Sequence, residues 1–183
     1  LAVNWVTYIW GINTGHIVET SLGYFINPLL HVVLGVVILR ERLEPGQWLA
    51  VGIAASGVAY MTIRVGSLPW IALVLAVTFG VYALLNKQVD AIGPIESLGV
   101  EVSIVAIPAL GYLGLIALDG SGSFAAGDLG VTTLLILTGV ATAVPLLLFG
   151  AAARRIKLST IGILQYIAPS IQFLLGVVVY NEV

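Results

Sequence analysis

Cysteine is absent from all 183 residues, which excludes disulfides and thiolate metal sites. Charge is nearly as scarce. Lys, Arg, Asp and Glu make up 9% of the chain, against about 25% in a soluble domain, too little to coat a water-facing globule. Seven basic residues and a net charge of −2 leave no footprint for nucleic acid. The two histidines, His16 and His31, stand fifteen residues apart with no HExxH between them, so a helical zinc pair is excluded. Glu101 has no acidic neighbour in its apolar surroundings, so no carboxylate pair for acid–base catalysis is expected. An enzyme is therefore not expected, and neither is a metal or a cofactor. No signal peptide is visible in this stretch, and the single methionine is Met61. The chain opens at Leu1 inside one apolar run and stops at Val183 just after another, so it reads as a piece of a longer protein with further helices expected on both sides.

What is present is hydrophobic length. The composition is 60% hydrophobic with a mean hydropathy of +1.10, and the sixteen charges cut the chain into uncharged runs at 1–18, 20–39, 45–63, 65–86, 102–118, 129–153 and 158–181. Each is close to the roughly 20 residues that carry a helix across about 30 Å of hydrocarbon. Barrel strands alternate in polarity over about ten residues. The stretches 71–83 and 134–153 are instead continuously apolar, and a helix satisfies its own backbone in lipid. The fold class predicted is all-α, a polytopic bundle of seven spans with the bilayer as its solvent. Small residues spaced by four (Ala72, Ala76, Gly80 and again Gly139, Ala143) are expected to let helix backbones approach closely.

The loops at 40–44, 87–96 and 154–157 hold two, one and three basic residues, six of the seven; the alternate loops at 64–67 and 119–128 hold only Arg64. Basic loops remain cytoplasmic, so these three belong on the inner side. On this reading Arg40, Arg42, Arg154, Arg155 and Lys157 set topology, while Trp48 and Trp70 near span ends anchor in the interface.

The chain also resembles itself at an offset of 141. Across 26–41 and 167–182 seven of sixteen positions are identical without a gap, among them Ile26 with Ile167, Pro28 with Pro169, Gly35 with Gly176 and Glu41 with Glu182. Glu41 falls in an inner loop and Glu182 at the outer end of a helix, so the copies are predicted to be inverted, with five helices each. Many secondary carriers rock one such repeat against the other around a midplane site.

With these residues assembled, the whole stretch resembles the RarD branch of the EamA-type drug/metabolite transporters. The resemblance is carried by Asn4-Trp5-Val6-Thr7-Tyr8-Ile9-Trp10, by Ser21-Leu22-Gly23-Tyr24-Phe25-Ile26-Asn27-Pro28-Leu29 and by Gln47-Trp48-Leu49-Ala50. In the second half it is carried by Val144-Pro145-Leu146, Ala151-Ala152-Ala153-Arg154-Arg155, Leu164-Gln165-Tyr166-Ile167-Ala168-Pro169 and Gln172-Phe173-Leu174-Leu175-Gly176. It implies a bacterial inner-membrane permease of ten helices in two five-helix repeats. On that scheme residues 1–66 are the end of helix 3 with helices 4 and 5 of the first repeat, and 67–183 are helices 6 to 9 with the start of helix 10.

The polar residues within the runs are the candidates for transport. Tyr24, Asn27 and His31 are spaced i, i+3, i+7 on one helical face, and the repeat places Gln165 and Gln172 at the positions of Tyr24 and His31. A buried amide or imidazole in hydrocarbon costs several kcal/mol, order of magnitude, unless paired. The two stripes therefore either bond across helices or line a wet cavity for a small-molecule substrate. Tyr166, Trp5 and Tyr8 are the candidate aromatic walls, and Pro28 and Pro169 the candidate kinks. His31 and Glu101, placed about one turn inside its helix, are the candidate proton-coupling groups. Against a carrier stand a polar-lined channel and a purely structural membrane protein.

Overall fold

In the computed structural model, the description covers residues 1–66, 69–89, 92–120, 122, 124 and 128–178, without the side chains of 65 and 172–177. Among these residues the chain is entirely helical: α1 (Ala2–Asn13), α2 (Ile17–Val37), α3 (Pro45–Val65), α4 (Trp70–Gln88), α5 (Pro94–Leu118), α6 (Leu129–Arg155), α7 (Leu158–Gln165) and α8 (Ile167–Val178). Five helices are long and apolar enough to cross a bilayer: α2, the Pro45–Arg64 stretch of α3, α4, α5 and α6. The chain is a multi-pass membrane protein.

The helices begin where local chemistry satisfies their first N–H groups. Pro45 opens α3, where its missing donor is harmless, and the Gln47 side chain accepts from the Glu44 N–H at 2.9 Å. Pro94 opens α5 with Glu96 accepting from the Gly93 N–H at 2.9 Å. Asp128 caps α6 by accepting from Gly130 N–H at 2.7 Å.

Two compact units are present, Leu1–Gln88 with Ala153–Val183, and Val89–Ala152. In the first, α2 is central and packs on α1, α3, α4 and α7. The expected small-residue stripe on α4 is there: Ala72, Ala76 and Gly80 are buried. Its partner is α2, since a Cβ on Gly80 would lie 2.8 Å from Leu30, and one on Gly23 would lie 3.3 Å from the Ala72 backbone. Asn4 ties α1 to the same helix, donating to the Leu75 carbonyl at 2.8 Å and to the Thr78 hydroxyl at 2.9 Å. In the second unit, α5 and most of α6 carry their apolar side chains outward, as Ile107 (77% exposed) and Leu134 (65%) show. In lipid such a surface has no reason to be polar.

Four expectations are corrected. The run 1–18 is not one span: α1 stops at Asn13, and the chain turns through Gly15 at φ 81° before α2 begins. The run 158–181 is not one helix either. It breaks at Tyr166 because Pro169, four residues after Gln165, has no N–H for the Gln165 carbonyl. Pro28, by contrast, lies within an uninterrupted α2. Glu101 sits about two turns into its helix rather than one, since α5 starts at Pro94. The α6 pair Gly139 and Ala143 marks no close contact: Gly139 is exposed, and a Cβ there would meet nothing within 4 Å.

Candidate functional site

The polar residues of α2 and α7 meet along one antiparallel contact. His31 is fully buried, and its Nδ1–H donates to Gln165 Oε1 at 2.7 Å. Nearly two turns back along α2, the Phe25 carbonyl accepts from the Tyr166 hydroxyl at 2.9 Å. These two residues are separated by 141 positions, which is the repeat offset, so each touches its own counterpart. From there the contacts run in opposite senses along the two helices, from Phe25 with Tyr166, through His31 with Gln165, to Glu41 with Leu158. The two repeat copies of this helix therefore lie head to tail.

The tightness of the contact comes from Gly162. A Cβ there would stand 2.5 Å from the Pro28 carbonyl and 3.1 Å from both His31 and Val32. The His31 ring also lies 5.8 Å from Phe79 of α4, edge on. Tyr24, 55% exposed, meets Tyr8 edge to face with centroids 5.8 Å apart. Asn27 is half-buried, and its Oδ1 is shut off from solvent with no hydrogen-bond partner.

Thus the structure pairs Tyr8 with Tyr24 and His31 with Gln165, and sets Tyr166 against α2. It commits the Tyr166 hydroxyl to a backbone carbonyl, which pins the helix break to α2. Trp5 is 41% exposed and makes no ring contact among the described residues. The side chain of Gln172 lies outside the described residues, as does the whole of Glu182. Glu101 is half-buried with Oε2 unpartnered and out of solvent. His16 is exposed, stacked on Trp10 at 5.5 Å and bonded to Thr14 at 2.9 Å. Trp48 and Trp70 both stand exposed in the first turns of their helices.

A second polar cluster was not anticipated. The Glu41 carboxylate caps α7: Oε1 accepts from the Leu158 N–H at 2.8 Å, and Oε2 from the Ser159 N–H at 2.9 Å and its hydroxyl at 2.6 Å. Lys157 Nζ donates to the Arg42 carbonyl at 3.2 Å, and Lys87 Nζ to the Ala153 and Ile156 carbonyls at 3.3 and 2.6 Å. Lys87 thus lies against the 153–156 turn, and Arg42 against Lys157. The one signal for Glu41 was its recurrence as Glu182; nothing in the spacing pointed to α7.

Burial by itself raises the Glu41 carboxyl, but the Ser159 and Leu158 hydrogen bonds, aided by the Lys87 charge, outweigh it and hold the group below its ordinary value. A depressed carboxyl contributes stability that is fully present above the ordinary carboxylate range, about pH 4.3, and is lost as pH falls through the native value. Thermal unfolding followed from pH 7 to pH 3 should accordingly show an acid limb that Glu41→Gln flattens. An identical limb in the variant would exclude this carboxylate as its source.

The profile of the EamA-like transporter family matches residues 1–63. Protein RarD of Streptomyces exfoliatus is 48% identical over 182 residues, covering 100% of this chain and 58% of its own length. Protein RarD of Escherichia coli is 44% identical over 179 residues, 98% of this chain and 60% of its own. A Bacillus subtilis protein named uncharacterized transporter YojE is 45% identical over 183 residues, 100% of this chain and 60% of its own. The chain spans about three fifths of these relatives. No solved structure matches.

Proposed function

The chain belongs to the RarD branch of the EamA-type drug/metabolite transporters, and on that premise we propose that it forms the core of a secondary carrier moving a small organic solute across the bacterial inner membrane by alternating access. Its family is one of transporters and not of enzymes. The observation that supports the mechanism most directly is the antiparallel meeting of α2 with α7, helices that the sequence repeat relates to each other. Two inverted copies of one helical unit that meet in this way can exchange conformations, which is what rocking about a midplane site requires. Residues 1–66 and 67–183 are then parts of two repeats.

The solute site is the seam beside that contact. Tyr8 and Tyr24 present ring faces and edges. Asn27 Oδ1, without a partner among the described residues, becomes an acceptor for solute once the seam opens. Trp5 and Gln172 are assigned to the same cavity, with Pro28 and Pro169 shaping its two walls. His31 and Glu101 are the groups assigned to proton coupling. A chain built only for structure gains nothing from an orphaned amide oxygen at this place.

The test is uptake by the full-length protein in proteoliposomes, with radiolabelled amino acids, nucleobases and chloramphenicol as the panel. Saturable flux that follows an imposed gradient is expected; flux that stays linear with concentration means a pore. Tyr24→Ala, Asn27→Ala, Gln165→Ala and Gln172→Ala should each lower uptake while the protein remains monodisperse. Normal uptake from all four removes the seam from the mechanism. Unchanged pH profiles in His31→Gln and Glu101→Gln likewise remove those groups from proton coupling.

A further inference from the structure

Four cations gather where two loops from distant parts of the chain meet. Arg40 and Arg42 lie just beyond the uncharged run 20–39, and Arg155 and Lys157 just beyond the run 129–153. Hydrogen bonds join these loops. Lys157 Nζ donates to the Arg42 carbonyl at 3.2 Å, and the Glu41 carboxylate holds the Leu158 and Ser159 N–H groups at 2.8 and 2.9 Å. The side chains of Arg40, Arg42, Arg155 and Lys157 are all exposed.

The negative charge of the cluster is spent elsewhere. Glu41 stands between the two arginines in sequence, yet both of its oxygens are committed to α7, including one bond to the Ser159 hydroxyl. The ammonium acting on it is that of Lys87, which is itself bonded to the Ala153 and Ile156 carbonyls. Glu44 is exposed and makes no ion pair among the described residues, and neither do Arg40, Arg42, Arg155 and Lys157. Three guanidinium groups and an ammonium thus face outward with no carboxylate bound to them there.

Depth and donor type select the ligand. Arg40 follows the end of α2 by three residues, and Arg155 is the last residue of α6, both helices long and apolar enough to span. Cations at that level stand beside lipid phosphates. Basic loops mark the cytoplasmic side, and the cytoplasmic leaflet carries the anionic lipids. Retaining a loop on that side asks only for positive charge. Three of these four residues are arginine, whose planar fork matches a pair of phosphate oxygens.

We infer that Arg40, Arg42, Arg155 and Lys157 form a binding site for the phosphate of an anionic phospholipid of the inner leaflet, held between the two loops. The headgroup supplies the counter-charge that Glu41 gives to α7. One loop follows α2 and the other leads into α7, so a bound headgroup also braces the α2–α7 contact. Binding there does not depend on the movement of a solute.

The experiment is a lipid titration of the delipidated full-length protein in detergent, read by native mass spectrometry. Phosphatidylglycerol is the probe, phosphatidylcholine the comparison with its phosphate offset by a fixed positive charge, and inorganic phosphate the soluble competitor. Phosphatidylglycerol is expected to bind about tenfold tighter than phosphatidylcholine or better. Each cation near an anionic surface is worth about fivefold in affinity. Arg42→Gln combined with Arg155→Gln should therefore weaken phosphatidylglycerol about thirtyfold and leave phosphatidylcholine unchanged. Arg42→Lys with Arg155→Lys keeps the charge and should lose about fivefold or less. Phosphatidylglycerol should also raise the unfolding temperature of the parent and not of the glutamine pair. If that pair misfolds or inserts the wrong way round, the single glutamine variants decide, each with a loss of about fivefold. Equal affinity for the two lipids, or phosphatidylglycerol binding that no glutamine variant weakens, overturns the site. Displacement of the lipid by inorganic phosphate at equal concentration overturns its assignment to a lipid.

Discussion

Gly162→Ala in the full-length protein should lose most of its uptake and about 1–3 kcal/mol of stability, the usual cost of forcing a methyl into a filled contact. The new Cβ would stand 2.5 Å from the Pro28 carbonyl. That oxygen belongs to helix backbone and cannot rotate aside, so α7 must move off α2. Two other bonds are stretched with it, Gln165 to His31 and Tyr166 to Phe25, now 2.7 and 2.9 Å. Gly139→Ala is the internal comparison. It adds the same methyl where nothing lies within 4 Å, and alanine favours a helix over glycine by up to about 1 kcal/mol. Thermal unfolding in detergent with parallel uptake measurements decides the matter; equal effects of the two variants would mean that the α2–α7 contact is looser than described.

The second large effect is expected at the His31–Gln165 pair. Gln165→Leu removes one acceptor from the fully buried His31 imidazole, which costs about 1 kcal/mol, equivalent to a loss of roughly 5-fold in a population or an affinity. His31→Leu strands the amide in the same way, though the less buried Gln165 recovers some of the cost from solvent. Replacing both together removes the mismatch, so the double variant should be less damaged than the sum by about 0.5–3 kcal/mol. Strict additivity in a thermal-shift cycle would show that the two side chains do not act as a pair.

These two predictions fall on residues of different legibility. His31 and Gln165 stood out because a polar side chain in an apolar run has to be explained. Their pairing with each other did not, since they lie 134 positions apart and the repeat matches Gln165 to Tyr24 rather than to His31. Gly162 carried no signal: glycine occurs 21 times in the chain, and only the approach of another backbone distinguishes this one. Asn4 was quoted within a motif, yet its two bonds to α4 depend on which helix stands beside α1. The break at Tyr166 had a visible cause in Pro169. Pro28 stands in the same register without breaking its helix, so a proline alone does not tell which copy gives way.

Composition and the order of residues determined that the chain lives in lipid, that its elements are helices, which loops share a face, and that one helical unit recurs upside down. Each of these follows from local or statistical physics: the cost of charge in hydrocarbon, the need to satisfy backbone groups, the retention of basic loops, and register. The tertiary structure alone decided that α2 and α7 pack antiparallel, that Gly162 is a point of close approach between them, and that Glu41 reaches α7 across 117 positions of sequence. Those are relations between surfaces brought together by packing, and a hydrogen bond a few ångströms long leaves no trace in a sequence until both of its ends are in place.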